Sequence, residues 1–462
     1  MITSTGSRLA SPPRRLPVSL IALLICWPGT TFALGDYTVR AATAPDHHLE
    51  LSLRLPSAAP GVERKLATRG SAWGMHDQVV APHCGPAPLQ AGDGGTWLLP
   101  ASCERVTWRV AAPPRQDGHE LPDHQSVSFP GPAQWTLLVE PTSLLRLVGD
   151  ATDATLRAAD AKTHLLGGTP TANGWRIPGG THAPEVFIVG NAPTQEREAG
   201  GFQIRDVADN LDAVRQLGLL SLHEQALAHL VAVVFGGHPP PPADRSLLVV
   251  WLGIEARHRQ ISGVAGSRSF VANYLVGDRE KARRNRALTL MVLAHEQFHQ
   301  LLDVKRDTRA SVPAWVNESL AHYFGLQAMQ ASMGKDKAAA ALAREEIDPA
   351  RPVLHKLMEF ESLSKTDIDA ARRLVYAQGA TFWSEMDRAL SAHPGGARTL
   401  ASLIPGLLEM DFPPDDALPD VFVRQLREGA GPAADELLGR YAGNSTPALA
   451  QATPVATGNA AP

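Results

Sequence analysis

The 462-residue sequence has few cysteines and little excess charge of either sign. Cys26, Cys84 and Cys103 are its only cysteines, too few for a small fold held together by disulfides. Lysine and arginine number 43 against 47 aspartate and glutamate, which gives a net charge of −4. Because the charge is nearly balanced and no long basic block occurs, we expect no nucleic-acid partner.

Long apolar runs are also scarce, and the one near the N terminus is short. Arg8, Arg14 and Arg15 precede the apolar stretch LPVSLIALLICW, and the small-residue pattern TFA ends at Ala33. This arrangement predicts a secretory signal peptide, residues 1–33, cleaved near Ala33, and therefore a secreted or periplasmic protein. An N-terminal membrane anchor is the alternative, although the apolar core is short for a spanning helix. No later run is long enough, so we expect no membrane span in the mature chain.

Removal of this segment leaves one cysteine pair, Cys84 and Cys103, in what would be an oxidising compartment. A disulfide that closes the short loop between them is the favoured prediction. Two buried thiols, or a site that uses His83 beside Cys84, are the alternatives.

Length and periodicity predict an α+β chain of several domains. Residues 34–145 alternate apolar and polar positions between frequent glycines and prolines, which is typical of an antiparallel β domain. A β-rich connecting segment follows at 146–205. Helical periodicity begins near Asp206, and the domain 206–440 is predicted to be mainly helical. Residues 441–462 have low complexity, so we expect a disordered tail.

The segment HEQFH places two histidines and a glutamate in an otherwise apolar helical run. Residues i and i+4 lie on one face of a helix, so His295 and His299 can bind one ion, with Glu296 beside them. This is the zinc-protease pattern H-E-x-x-H. A pair of core histidines bonded to the backbone is the alternative. A second H-E-Q segment, residues 223–229, has Leu227 where the second histidine should be, and predicts no metal site.

A third ligand is available in SVPAWVNESLAHYFG, residues 311–325, where an apolar stripe predicts a helix. Glu318 lies in this helix, with 18 residues between it and His299. HEQFH, this spacing and NE together resemble the gluzincin zinc metallopeptidases, in particular the membrane alanyl aminopeptidase family. The resemblance implies one Zn²⁺ per chain, bound by His295, His299 and Glu318. Three protein ligands leave a fourth position for water, whose proton Glu296 would accept as general base.

Three other residues are candidates for the same site. VYAQGATFW resembles the VYEKGA segment of that family, which implies that Tyr376 stabilises the developing oxyanion; ordinary helix packing is the alternative. His322, four residues after Glu318, is a candidate to support a metal ligand, or else a simple surface or core histidine. Arg268 is a candidate substrate contact, or a solvated strand residue.

The sequence departs from the alanyl aminopeptidases at the strand before the zinc helix. Their G-x-M-E-N segment carries a glutamate that binds the free amine of the substrate, whereas SGVAGSRSF, residues 262–270, has no acidic residue there. HEQFHQLLDVKR is also similar to the zinc helix of the secreted glycyl aminopeptidase family, which likewise has an N-terminal β domain. These resemblances cover about residues 245–395, a third of the chain.

Together these features predict a secreted zinc-dependent peptidase with a thermolysin-like, mainly helical catalytic domain behind N-terminal β structure. Two buried strands, about 245–254 and 267–276, would form its small sheet, and the second would be the edge strand that aligns a peptide or protein substrate. The missing glutamate favours cleavage of oligopeptides or internal bonds over strict aminopeptidase activity. The alternative from another class is a catalytically idle peptidase fold that binds peptides or cell-surface material. The oligomeric state has no signature in the sequence.

Overall fold

A computed structural model describes most of the chain between residues 35 and 443. The described residues are 35–41, 48–56, 63–73, 78–115, 125–131, 133–180, 182–238, 245–255, 261, 263–306, 312–336, 355–393 and 398–443. The predicted signal peptide and most of the predicted tail lie outside them. Within these residues, no helix combines the length and the apolar character that crossing a membrane requires.

The N-terminal part of the chain consists mainly of β-strands. These are β1 Asp36–Ala41, β2 His48–Arg54, β3 Arg64–Ala67, β4 Val79–Cys84, β5 Ala87–Pro88, β6 Gln90–Ala91, β7 Thr96–Leu99, β8 Arg105–Ala111, β9 Val127–Phe129, β10 Trp135–Val139, β11 Arg146–Leu147, β12 Ala154–Ala158, β13 Leu165–Leu166, β14 Pro170–Thr171, β15 Gly174–Ile177 and β16 Val186–Gly190. Side chains of β2 and β8 alternate between buried and exposed, because one face of their sheet covers the core.

The described strands of this part form an eight-stranded sheet and two four-stranded sheets. The large sheet has the order β14-β15-β12-β1-β2-β8-β4-β5, and the smaller ones are β13-β16-β10-β9 and β11-β3-β7-β6. Most neighbours pair antiparallel, although β1 and β12 are parallel. Cys84, at the end of β4, forms a disulfide with Cys103, which confirms the favoured prediction for this pair.

A further sheet of five strands lies later in the chain, with the order β17-β18-β19-β21-β20. Its strands are β17 Thr194–Ala199, β18 Phe202–Ala208, β19 Ser246–Glu255, β20 Gly263–Ala265 and β21 Ser269–Val276. The prediction that residues 267–276 form the edge strand is wrong, because β21 lies between β19 and β20. The edge strand on this side of the sheet is β20, which has three residues, too few to show the alternation by which a strand is recognised.

Neither predicted domain boundary coincides with the end of a sheet. The large sheet crosses the boundary at residue 145, since β12 and β15 belong to it, and the boundary at 205 falls within β18. Asp206, where helical periodicity was expected to begin, also lies in β18. Alternation identifies a strand but not its partners, which long-range packing decides.

The C-terminal half is mainly helical, so the prediction of an α+β chain with antiparallel sheets is confirmed. Its helices, numbered after the short α1 Glu140–Ser143, are α2 Leu211–Gln216, α3 Leu219–Phe235, α4 Arg279–Lys305, α5 Ala314–Met333, α6 Phe360–Thr366, α7 Ile368–Arg373, α8 Ala380–Ala392, α9 Leu400–Leu407, α10 Asp420–Ala430 and α11 Pro432–Leu437. π-Helical turns occupy Leu374–Gly379 and Leu438–Ala442, and 3₁₀ turns occupy Arg69–Trp73, Asp93–Gly95 and Leu357–Glu359. Tyr441 is buried, so packed structure continues past residue 440.

Helix α4 lies at the centre of this half, in contact with α3, α5 and strand β21. It begins at Asp278, whose side chain accepts a hydrogen bond from the backbone N–H of Lys281 and so caps the first turn. Phe298 of α4 and Phe324 of α5 are fully buried and stacked, with ring centroids 5.8 Å apart. These apolar contacts hold α4 and α5, which carry the residues of the two zinc-protease segments, against each other.

Candidate metal centre

Helices α4 and α5 bring the three predicted ligands together. The Nε2 atoms of His295 and His299 are 3.0 Å apart. The Glu318 carboxylate lies beside both, with Oε2 3.3 Å from the His295 nitrogen and Oε1 3.5 Å from the His299 nitrogen. All three residues offer ligand atoms within 4.8 Å of one another, the one such cluster found among the described residues.

A glycine in α5 allows the two helices to approach this closely. A Cβ atom at Gly325 would lie 3.2 Å from the backbone nitrogen of His295 and 3.4 Å from its Cα. A larger side chain would therefore push α5 away from α4 and carry Glu318 away from the imidazoles. This role of Gly325 was not predicted from the sequence, although a glycine inside a helical pattern often indicates close packing.

The chemistry of these residues fits a divalent cation such as zinc. With Zn–N bonds of about 2.0–2.1 Å, two nitrogen ligands of a tetrahedral ion lie about 3.3 Å apart, close to the observed separation of 3.0 Å. Asn317 Oδ1 lies 2.8 Å from His299 Nδ1. An amide oxygen accepts, so Nδ1 carries a proton, and Nε2 is the nitrogen that could bind a metal once its own proton is released.

The electrostatics of the cluster favour positive charge. Burial opposes protonation of His299, but the neighbouring carboxylates of Glu318 and Glu296 outweigh it and raise its pKa to about 9. Burial alone would raise the pKa of Glu318, yet the two imidazoles hold it far below its ordinary value. The carboxylate therefore stays ionised, as a metal ligand must.

Glu296 is half-buried beside the cluster, against the edge strand β20. A Cβ atom at Gly263 of this strand would lie 2.6 Å from Glu296 Cγ, so glycine is the residue that lets the strand pass this close to the glutamate. This role of Gly263 was not predicted from the sequence, where the one indication is a glycine within a short strand-like run.

Tyr376 lies on the π-helical turn Leu374–Gly379, an irregularity that is frequent at functional sites. Its ring centroid is 5.5 Å from that of His295. Burial and the nearby carboxylates of Glu318 and Glu296 raise the pKa of its phenol, so the hydroxyl keeps its proton and can donate a hydrogen bond. A Cβ at Gly379 would lie 2.5 Å from Ser319 Cβ, which shows how closely this turn packs on α5.

His322 lies beneath the same group and is 4% exposed. Its ring stacks on Tyr376 with centroids 5.1 Å apart and planes at 25°, and its centroid is 6.0 Å from that of His295. Burial lowers the pKa of His322 to about 3, so the imidazole is neutral. Its Nε2 is buried with no hydrogen-bond partner in the part of the chain that the structure describes.

Arg268 points into the protein and not into an open cleft, since it is 4% exposed. Its Nη1 donates to the Ser267 carbonyl at 2.9 Å and lies 3.5 Å from Asp303 Oδ2 of α4. Asp303 also accepts from the Ser267 hydroxyl, and one of its oxygens is 3.4 Å from His182 Nδ1. Asp303 and His182 connect the helix of the H-E-x-x-H motif to the β part, and neither was predicted from the sequence. Because these contacts hold Arg268 inside the protein, we propose that it is structural.

The other face of α4 is also polar, and its Gln297 is hydrogen-bonded within the protein. Gln297 Oε1 lies 2.8 Å from His223 Nε2, and the other ring nitrogen of His223 is hydrogen-bonded to Arg197. Arg197 in turn pairs with the fully buried Asp206 at 2.6 Å. The rejected H-E-Q segment of α3 thus supplies a core histidine.

Comparison with known proteins shows a peptidase-like fold. A solved structure of an aminopeptidase N family protein from Idiomarina loihiensis matches with a TM-score of 0.61 and 14% sequence identity. The match covers 89% of this chain and 76% of that one, so the likeness extends over both the β part and the helical part. No protein-family model and no curated protein matches the sequence.

Proposed function

We propose that this chain is a secreted, zinc-dependent peptidase of the gluzincin type, with a thermolysin-like catalytic domain in its helical half. The observation that carries the proposal is the convergence of His295, His299 and Glu318, residues separated in sequence, next to Glu296 and Tyr376. A bound Zn²⁺ would supply a water of lowered pKa and polarise the substrate carbonyl.

The protein groups have separate tasks in this proposal. Glu296, held against β20, accepts the proton of the attacking water and passes it to the leaving amine. Tyr376 donates its phenolic hydrogen to the oxygen of the carbonyl as negative charge develops there. His322 keeps the tyrosine ring in place by stacking, and Asn317 orients the His299 imidazole.

Replacing the proposed base tests this directly. Glu296→Gln should retain one zinc per chain by elemental analysis and lose about 10³-fold or more in cleavage of a peptide library. Glu224→Gln is a matched control, because Glu224 follows the histidine of the other H-E-Q segment and is exposed. Undiminished cleavage by Glu296→Gln would reject the mechanism. A zinc-loaded wild type that cleaves nothing would favour the idle binding fold.

A specific observation favours cleavage that needs no free N-terminus. The turn between β20 and β21 has no acidic residue, and at Gly266 a Cβ would lie 2.2 Å from the Pro184 carbonyl oxygen, so no side chain fits there. Glu185 and Asp303 contact this turn, and both are already paired. Glu185 is 3% exposed and accepts from the backbone N–H of Arg268 at 2.5 Å, and Asp303 accepts from the Ser267 hydroxyl and lies 3.5 Å from Arg268 Nη1. Among the residues that the structure describes, an ammonium group therefore meets no unpaired carboxylate at this turn.

Peptides with acetylated and free N termini distinguish the two modes. We expect the acetylated peptide to be cleaved at a rate similar to that of its free counterpart, because the site offers no partner for the amine. Cleavage restricted to the free peptide, with release of its first residue, would instead assign strict aminopeptidase activity.

A further inference from the structure

The outer face of the eight-stranded sheet carries a polar trough with a volume of about 550 Å³. Its floor is a row of hydroxyl side chains, since Thr38, Ser52 and Thr107 are cross-strand neighbours on β1, β2 and β8. The Thr38 and Ser52 hydroxyl oxygens are 2.8 Å apart and hydrogen-bonded. Short hydroxyl residues leave room above the sheet and present both donors and acceptors.

Arginines border this floor on both sides. Arg105 and Arg109 lie on β8, two residues before and two after Thr107, and both are exposed. At about 3.4 Å per residue, their Cα atoms are about 14 Å apart. Arg54 of β2 is the cross-strand partner of Arg105 and is exposed too. Among the described residues, no carboxylate forms an ion pair with any of these three.

The acidic residues near the trough do not cancel the positive charge of its arginines. Arg40 lies 3.5 Å from Glu50 and 3.1 Å from Asp160, so one arginine is shared between two acids. Glu50 is the only acidic residue that lines the described trough, against Arg40, Arg105 and Arg109. The trough is therefore positively charged in its unpaired groups.

One end of the trough is shaped by an irregularity in β4. The pairing of β4 with β8 shifts between Val80 and His83, and Ala81 takes the left-handed backbone conformation, with φ 48°. The bulge places His83 opposite Thr107, at the end of the hydroxyl row. A bulge is a specific feature that re-aims side chains, and here it places an imidazole beside the floor.

We propose that this trough binds a carboxylated polysaccharide, laid across the strands. Sugar hydroxyls would bond to the threonine and serine floor, and carboxylates would pair with Arg105 and Arg109. With strands about 4.8 Å apart, the row from β1 to β4 spans about 14 Å, enough for a short stretch of such a chain.

An acidic peptide fits this surface less well. Extended peptides are recognised by strand addition at a sheet edge together with side-chain pockets. The trough lies on the face of a sheet, where the backbone groups of β2 and β8 are already paired, and its floor is hydroxylic. The proposal stands independently of the peptidase reaction, since no residue of the metal cluster takes part.

Binding of polygalacturonate to the full mature chain tests the proposal, with uncharged dextran and poly-glutamate as comparison probes. We expect binding of polygalacturonate that weakens as salt rises, and none of dextran. Arg105→Ser with Arg109→Ser should weaken it about tenfold. Thr107→Val should weaken it about threefold, because it removes a floor hydroxyl and keeps the strand residue shape.

The matched control is Arg279→Ser with Arg424→Ser, which removes two exposed positive charges elsewhere. Unchanged binding in this control, with a loss in the trough variant, supports the proposal. Equal losses in both variants would indicate unspecific charge attraction and overturn it. So would failure of the wild type to bind polygalacturonate, or equally tight, arginine-dependent binding of poly-glutamate, which would make the trough a peptide surface.

Discussion

Two segments of this chain begin with the letters His-Glu-Gln, and both place their histidine in the interior. His223 of α3 is fully buried, and each of its ring nitrogens has a protein partner, Gln297 on one side and Arg197 on the other. His295 of α4 is 7% exposed, and its Nε2 faces the nitrogen of His299 and the carboxylate of Glu318.

The comparison of His223 with His295 shows which property distinguishes a core histidine from a candidate metal ligand. Burial is similar in the two cases, so burial alone decides nothing. What differs is whether protein hydrogen bonds already satisfy the ring nitrogens, because a buried polar group without a partner is costly. In our proposal a cation complements the nitrogens that converge in α4, whereas side chains complement those of α3. The glutamates differ likewise: Glu224 is exposed, and Glu296 is held against β20.

The largest expected difference is in zinc content, between variants of the histidines of the two segments. His299→Gln removes one of the three proposed zinc ligands, so the proposal predicts that the zinc content falls from one per chain to near zero and that peptide cleavage falls about 10³-fold or more. His223→Leu should keep one zinc per chain, because its histidine contacts Gln297 and none of the three ligands. Elemental analysis of both purified variants makes the comparison. Equal zinc loss in His299→Gln and His223→Leu would show that the two histidines do not differ in metal binding.

His223 should matter for stability instead, with a characteristic pH dependence. His223→Leu leaves the Gln297 oxygen and Arg197 without their partner, so we expect a loss of about 2–4 kcal/mol in the free energy of unfolding at pH 7.5. Burial and the charge of Arg197 lower the pKa of His223 well below 6.5, whereas the unfolded chain takes up the proton near 6.5. The wild type therefore loses stability as pH falls below 6.5, by up to about 1.4 kcal/mol per pH unit.

Because leucine has no such proton, the cost of the substitution should shrink between pH 6.5 and pH 5. Denaturant unfolding of both proteins at several pH values measures this. A cost that stays constant over that range would mean that His223 is already protonated in the folded protein, which contradicts its assignment as a neutral core histidine.

The proximity of two of the three proposed ligands could be predicted from the sequence, because helical spacing is local. Positions 295 and 299 share a helix face whatever the rest of the chain does. The prediction of Glu318 as the third ligand needed the 18-residue spacing of the family that the sequence resembles, because no local rule predicts that α5 packs on α4. The glycine that allows this approach, Gly325, has no signature that separates it from any other helical glycine.

The same limit explains the errors in the β part. Strand positions in β2 and β8 follow from alternation, but the joining of β12 to β1 depends on contacts between residues more than 100 positions apart in the chain. The edge strand was misassigned for a related reason, because β20 is short and its role depends on pairing with β21. The buried pairing of Arg268 with Asp303 likewise joins a strand start to a distant helix end, which no spacing predicts.

The smallest expected effect on activity comes from Gly263→Ala, which tests whether the contact with β20 holds Glu296 in position. In Gly263→Ala the new Cβ would lie 2.6 Å from Glu296 Cγ, so strand or side chain must shift by several tenths of an ångström. We expect kcat to fall about tenfold, since a misplaced base transfers protons poorly, while zinc content and KM stay nearly unchanged.

Gly406→Ala provides the control, because a Cβ there meets nothing within 4 Å and alanine suits its position in α9. It should leave kcat unaltered. If Gly263→Ala also kept full kcat, the close contact with β20 would be incidental packing. Glu296 would then be as loosely held as the exposed Glu224, and the contrast between the two segments would rest on their histidines alone.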